Sequence, residues 1–139
     1  MFVSLDDFKK MDSYQQFIKE NPAVGYLKVQ VFTAYGAIPI ADTNILITKD
    51  IGGDKVVFFE GKTDSSGIIS DIELPAPPIN NLPDPNSLPQ YTLYDLTAIH
   101  LGYESIKKYL IGMFGGVGVI QYIKMTPKVD LDDGGSNGN

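Results

Sequence analysis

Alternating apolar and polar residues dominate this chain and predict strands rather than helices. Residues 25–49 predict a strand, a turn and a second strand. Leu27, Val29 and Val31 alternate with residues of different character, and a period of two residues is typical of a strand whose two faces differ. Pro39 marks the turn, because proline has no N–H to donate to a neighbouring strand.

The alternation recurs at short intervals, with Gly, Asp, Asn and Ser between the repeats. It predicts seven strands, at residues 25–33, 43–49, 55–62, 67–74, 90–100, 104–114 and 118–125. Within the sixth of these, residues 104–111 also fit one turn of helix. Seven short strands with turn signals between them are typical of a β-sandwich. The predicted fold class is therefore all-β, a seven-stranded Greek-key β-sandwich.

An amphipathic segment at residues 4–20 predicts a short N-terminal helical arm, in one piece or two. Ser4 is a candidate N-cap with Asp7 three residues later, and Pro22 ends the helix because it disfavours helical backbone in the residue before it. The apolar stripe consists of Leu5, Phe8, Met11, Tyr14 and Ile18. Two interpretations stay open: the stripe belongs to a helix that packs on the sandwich or covers an open edge, or it docks on a partner chain.

These patterns divide the chain into a helical arm at 1–24, a β-sandwich domain at 25–127 and an acidic Gly/Asn-rich tail at 128–139. Residues 75–89 hold six of the nine prolines and predict a long, stiff connection between sheets. Pro75 and Pro78 have PxxP spacing, but no basic residue flanks them as an SH3 ligand would require. We expect contacts with other proteins of an assembly through the arm and the 75–89 loop, and an oligomeric state in that context.

The composition excludes several classes of function. The chain of 139 residues has no cysteine, which excludes disulfides, thiolate metal sites and a thiol nucleophile. All 11 basic residues are lysines and the formal net charge is −6. Nucleic-acid binding is therefore disfavoured, because its affinity depends on neutralising phosphates. No run approaches the roughly 20 apolar residues of a membrane span, and no signal peptide is visible. We expect synthesis in the cytoplasm and a final place in a virion-like particle or a spore or cell envelope.

Residues that could carry chemistry are few and scattered. His100 is the only histidine, which argues against a triad or a catalytic zinc site. Residues 112–118 are rich in glycine but lack the Lys-Ser/Thr of a phosphate loop. The tail at 130–134 resembles a calcium loop without its spaced oxygen ligands. The carboxylates of Asp42, Asp64, Asp71, Asp84 and Asp95 fall in different turns and strands. The sequence therefore predicts no enzyme, no cofactor and no metal site.

Three tyrosines are candidate binding residues. Tyr35, Tyr91 and Tyr103 lie in or next to predicted turns. A tyrosine in a loop can anchor a carbohydrate or a protein, since its ring is apolar and its hydroxyl is polar. The alternative interpretation is that these rings cap the ends of the sandwich.

Several short motifs resemble the carboxypeptidase regulatory-like domain, a transthyretin-like (prealbumin-like) β-sandwich. The similarity is strongest to modules found in spore-forming Gram-positive bacteria. It covers roughly residues 14–127, and its motifs consist mostly of turn residues. They lie at Phe17 to Pro22, Phe32 to Pro39, Thr63 to Gly67, Leu74 to Pro78, Tyr94 to Tyr103 and Ile120 to Pro127.

The resemblance implies a non-catalytic accessory module. Similar modules stand beside peptidoglycan-binding or spore-cortex-lytic domains. We therefore expect a structural or interaction module of a larger assembly, either a phage or phage-tail-like particle or a spore or envelope layer of a Gram-positive bacterium. The alternative function is a glycan- or peptidoglycan-binding accessory module.

Overall fold

A computed structural model describes residues 2–35, 37–79 and 90–129. Within these ranges the chain forms two helices, α1 (Leu5–Phe8) and α2 (Asp12–Glu20). The strands in the same ranges are β1 (Phe2–Ser4), β2 (Ala23–Thr33), β3 (Asn44–Ile51), β4 (Asp54–Lys62), β5 (Ile68–Ala76), β6 (Thr92–Ile99), β7 (Ile106–Met113) and β8 (Gly118–Met125). Each of the seven predicted strands is present with its ends shifted by at most two residues, and residues 106–113 are a strand, not a helix.

Two packed sheets make the molecule an all-β sandwich, as predicted. The larger sheet has the strand order β1-β4-β3-β6-β7, and the smaller has the order β5-β2-β8. The predicted strand number was wrong, because the described residues contain eight strands. β1 was missed because three residues are too few to show a period, and it forms only by parallel pairing with β4 (Phe2 with Lys55, Ser4 with Val57).

The strand directions define two ends of the sandwich. β2, β4, β6 and β8 all finish at one end, which we call the upper end. The upper end carries the β2–β3, β4–β5 and β6–β7 connections. The lower end carries the β3–β4 and β7–β8 turns and the start of β6.

Inward-facing apolar side chains from both sheets form one core. Leu27, Val29 and Val31, the residues whose alternation predicted β2, are at most 1% exposed. Ile45 and Ile47 of β3 and the alternate positions of β6 face them from the larger sheet and are equally buried. The period of two therefore identified the buried face correctly.

The N-terminal helices pack into the same core. Phe8 of α1 and Phe17 of α2 are buried. Their rings lie 6.1 and 5.5 Å from the ring of Phe58 on β4, and Phe58 in turn lies 5.1 Å from Tyr94. Leu5, Met11 and Tyr14 of the predicted stripe also pack against the core, which matches the first of the two interpretations of the arm. The buried residue of α2, however, is Phe17, which the predicted stripe did not include. The predicted cap is also present, since the backbone N–H of Asp7 donates to Ser4 Oγ at 3.1 Å.

Candidate interaction surface

The three candidate tyrosines lie at opposite ends of the sandwich. Tyr35 follows β2 at the upper end and is 70% exposed. Tyr103 lies in the β6–β7 connection at the same end, where it pairs with Pro127 and its ring contacts His100 edge-on. Tyr91 precedes β6 at the lower end. The fold therefore does not bring the three together into one site.

Tyr91 lines a cleft of about 520 Å³ at the lower end. Its ring lies 5.7 Å from that of Phe114, and it is half exposed. Polar groups form one wall, since the buried Asn21 donates to Phe17 O at 2.9 Å and accepts a hydrogen bond from Thr92 Oγ1. The cleft is lined by Glu20, Asn21, Pro77, Gln90, Tyr91 and Thr92.

The scattered carboxylates have separate structural roles. Asp64 Oδ1 accepts from the N–H groups of Ser66 (2.8 Å) and Ile68 (3.0 Å), which shapes the β4–β5 turn. Asp42 and Asp71 hold backbone positions with φ of 58° and 61°. Asp95 lies on the outer face of β6, opposite Thr48 and Leu110, and is only 8% exposed. Asp84 and the tail at 130–139 lie outside the described residues.

No metal-binding cluster appears in the part of the chain that the structure describes. That part contains no group of three or more His, Asp or Glu residues that could hold a metal ion. The His100 ring nitrogen Nδ1 contacts the carbonyl oxygen of Leu101 at 2.6 Å, so this histidine belongs to the β6–β7 turn. Residues 112–118 form the end of β7, a turn and the start of β8.

One buried and one half-buried side chain have shifted pKa values. Burial raises the pKa of the Tyr94 phenol well above its ordinary value, and the hydroxyl donates a hydrogen bond to Pro75 O. Burial lowers the pKa of Lys49, partly offset by the carboxylates of Asp95 and Asp50. Lys49 donates to Leu93 O at 2.9 Å. Lys49 also lines an open cleft at the lower end, together with Glu20 and Asp50.

The most distinctive surface is the side formed by β7 and β8, which we call the basic side. Each of these strands is the last in its sheet. Residues 105–129 contain four of the 11 lysines and no acidic residue, although the whole chain carries a net charge of −6. β2, the neighbour of β8, also lacks acidic residues.

Apolar and aromatic side chains are exposed among these lysines. Leu110 on β7 is 55% exposed, and Ile120 and Tyr122 on β8 are 52% and 55% exposed. The edges of the two sheets are joined there by the Gln121 amide, which donates to Tyr109 Oη at 2.8 Å. Leu110 lies on the outer face of the larger sheet, whereas Ile120 and Tyr122 lie on the outer face of the smaller sheet. The basic side therefore combines exposed apolar and cationic groups on both flanks of one edge of an acidic molecule, and exposed apolar surface can mark an interaction site.

The comparisons with known proteins concern the fold alone. No protein-family model matches the chain, and no curated protein matches it. Among solved structures, the Bacillus anthracis TIE protein is similar to this chain with a TM-score of 0.52 and 16% sequence identity. The match covers 76% of this chain and 17% of that chain, so this chain spans a small part of the length of the protein it matches.

The described helices are also too short or too polar for a membrane. None of them has both the length and the apolar content to cross a bilayer.

Sequence reasoning missed the basic side, although one signal for it was present. The absence of Asp and Glu between Glu104 and Asp130 is visible in the sequence. Its meaning depended on topology, because only pairing with β6 and β2 makes β7 and β8 the adjacent edges of two sheets.

Proposed function

We propose that this chain is a non-catalytic interaction module that works as a part of a larger assembly. The observation that supports this is the basic side, where exposed apolar residues and lysines occur together on two edge strands. The proposal includes a Greek-key, prealbumin-like fold of the carboxypeptidase regulatory-like type. The fold serves here as a rigid support for a surface.

The proposed assembly is a phage or phage-tail-like particle, or a spore or envelope layer of a Gram-positive bacterium. The resemblance to modules of spore-forming Gram-positive bacteria supports this setting. A module of this kind binds through its shape and surface chemistry, and a rigid sandwich presents such a surface with little loss of entropy on binding.

The test is co-sedimentation of the full chain with particles, spores or wall fractions from the bacterium that carries the gene. We expect the wild-type chain to enter one of these fractions. A Leu110→Asp, Tyr122→Asp variant should remain in the free fraction, because it replaces exposed apolar groups of the proposed contact with negative charge. Presence of wild type only as free monomer would overturn the proposal.

The matched control is Leu101→Asp. Leu101 is also an exposed leucine, but it lies in the β6–β7 connection at the upper end. We expect this variant to sediment like wild type. If both variants behave identically, the basic side is not the contact surface.

A second candidate function is glycan or peptidoglycan binding at the lower end. The half-exposed ring of Tyr91 beside Glu20 and Gln90 favours it, since a sugar ring can stack on an aromatic face while its hydroxyls bond to polar groups. Peptidoglycan fragments should then shift the NMR signals of Tyr91 and Thr92, and Tyr91→Ala should abolish the shifts. Unchanged spectra at saturating fragment concentration would exclude this function.

A further inference from the structure

We infer that β7 accepts an extended, acidic segment of a partner polypeptide as an additional strand of the larger sheet. This inference rests on the proposed function and specifies which part of the basic side makes the contact. The occupant is a partner segment in which carboxylates alternate with apolar residues. Three features of β7 lead to this chemistry.

The first feature is a free backbone edge. Within the described residues, β7 pairs only with β6, so the N–H and C=O groups on its other edge have no strand partner. β8 is less available, because the Gln121 side chain also donates to Tyr122 O at 3.3 Å. The free N–H and C=O groups on a strand edge are satisfied best by hydrogen bonds to another extended main chain. The free edge of β7 therefore favours a polypeptide over other kinds of polyanion.

The second feature is a bulge that carries two lysines. Leu96 pairs with Tyr109 and Ala98 pairs with Ile106, so Thr97 alone faces both Lys107 and Lys108. Thr97 Oγ1 donates to Lys107 O at 3.2 Å, which ties the bulge to β6. Both lysines are exposed. They place two positive charges at the upper end of the free edge.

The third feature is the apolar surface beyond the bulge. Tyr109 and Leu110 are both partly exposed on the edge strand. Their side chains project to opposite faces of the sheet, because successive strand residues alternate. An added strand can therefore bury apolar side chains on both faces while its carboxylates lie near Lys107 and Lys108.

The charge distribution disfavours a second copy of β7 as the occupant. A second β7 would bring another pair of lysines and no carboxylate to the same edge. On the adjacent strand, Asp95 lies opposite Leu110 but is buried and does not neutralise the exposed lysines. Charge complementarity thus points to an acidic partner.

The test uses the isotopically labelled full chain and a synthetic peptide of alternating valine and aspartate, about eight residues long. We expect the peptide to shift the NMR signals of residues 107–113 and to slow hydrogen exchange along β7. Affinity should fall at high salt, because exposed charge pairs are screened. Absence of these changes, or changes centred elsewhere, would overturn the inference.

Two controls separate pairing from simple charge attraction. Lys107→Gln with Lys108→Gln should weaken binding roughly tenfold, as expected for losing two exposed charge contacts. The matched pair Lys9→Gln with Lys10→Gln, which follows α1, should not change it. A peptide N-methylated at alternate residues keeps its charges but cannot pair, and equal binding of that peptide would overturn strand addition.

The inference would also be overturned if the Lys107→Gln, Lys108→Gln variant binds the peptide as tightly as wild type and the variant protein aggregates. The two lysines would then only protect the edge from self-association. If the acidic peptide does not bind but Leu110→Asp, Tyr122→Asp still abolishes co-sedimentation, strand addition is rejected and the proposed function stands. Peptide binding without any co-sedimentation would reject the proposed assembly alone.

Discussion

Tyr94 combines a large buried ring with one polar group that must be satisfied. The ring is fully buried between the helices and both sheets, and its hydroxyl donates to Pro75 O. A buried hydroxyl without such a partner would be costly, whereas a typical intramolecular hydrogen bond contributes about 1 kcal/mol. The buried phenol therefore stabilises the folded state only while it remains protonated.

The first prediction concerns Tyr94→Phe and alkaline pH. At neutral pH we expect the variant to be about 1 kcal/mol less stable, because Pro75 O loses its donor. Burial raises the pKa of Tyr94 above the ordinary 10.0, so the stabilisation by the neutral phenol is complete below pH 10. Above pH 10 this stabilisation declines by up to about 1.4 kcal/mol per pH unit, because the Tyr94 phenol ionises in the unfolded chain while it stays protonated in the folded protein.

Urea unfolding from about pH 7 to about pH 11.5 measures this difference. The stability gap between wild type and Tyr94→Phe should close above pH 10 and then reverse. A gap that stays constant over this range would contradict the prediction. At neutral pH the exposed Tyr35→Phe should differ from wild type by less than about 0.5 kcal/mol.

The second prediction concerns Gly67, which ends the β4–β5 turn. Its φ is +74°, and a Cβ at this position would collide with Val31 O and lie 3.1 Å from Ile40 N. Gly53 has a φ of +86° but nothing within 4 Å of its added Cβ. Gly53→Ala should therefore cost about 1–2 kcal/mol for backbone strain alone, and Gly67→Ala at least about 2 kcal/mol more.

Equilibrium unfolding of Gly53→Ala and Gly67→Ala separates the cost of backbone strain from the cost of the steric clash at the added Cβ. Both share a left-handed backbone, so their difference reports the contact of the turn with β2. That contact includes the hydrogen bond from Val31 N to Gly67 O at 2.8 Å. Equal destabilisation of the two variants would show that the turn is not packed against β2 as described.

At the level of elements, α1 and α2 fill the space between the sheets near β4. Phe8, Phe17 and Phe58 form an aromatic cluster with Tyr94 at ring separations of 5.1–6.1 Å. α2 has only nine residues, and helices this short are marginal alone in water. Its stability therefore depends on the contact of Phe17 with the sandwich.

The third prediction is that Phe17→Ala destabilises the whole protein by about 3–5 kcal/mol, the range for removing a buried phenylalanine. Chemical denaturation followed by circular dichroism measures this change. Gln15→Ala on the exposed face of α2 should stay within about 0.5 kcal/mol of wild type. A cost below about 1 kcal/mol for Phe17→Ala would contradict packing of α2 in the core.

At the level of the whole molecule, one core spans both sheets and both helices. Parts that share a core unfold together in small domains. The fourth prediction is therefore a single transition in urea. Loss of tertiary signal from the aromatic cluster (near-UV circular dichroism) and loss of secondary structure (far-UV) should coincide. An earlier transition confined to the helical signal would contradict it.

The basic side lies away from the helical arm. The helices cover the opposite side of the sandwich, near β4 and β5, where their apolar stripe faces Phe58 and Leu74. The strands β7 and β8 have no such cover among the described residues, apart from the link between Gln121 and Tyr109. Because the apolar stripe of the arm packs on the sandwich, the contact surface that we propose is the basic side.

Local pattern determined most of the fold. Alternation placed seven strands and the buried face of β2, because a side-chain period of two is a property of the strand itself. The turns were also predictable from neighbouring residues, since the Asp64 carboxylate accepts hydrogen bonds from two N–H groups within the next four residues. Ser4 was identified as a cap for the same reason.

Only the tertiary structure decided the rest. The three residues of β1 form a strand only because they pair with β4, which lies about fifty positions further along the chain. Tyr35, Tyr91 and Tyr103 looked equivalent in the sequence, yet strand direction sends them to opposite ends. The basic side exists because long-range pairing makes β7 and β8 the outermost strands of their sheets. Periodicity reports which way a side chain faces, whereas the neighbours of a strand depend on contacts that no local pattern encodes.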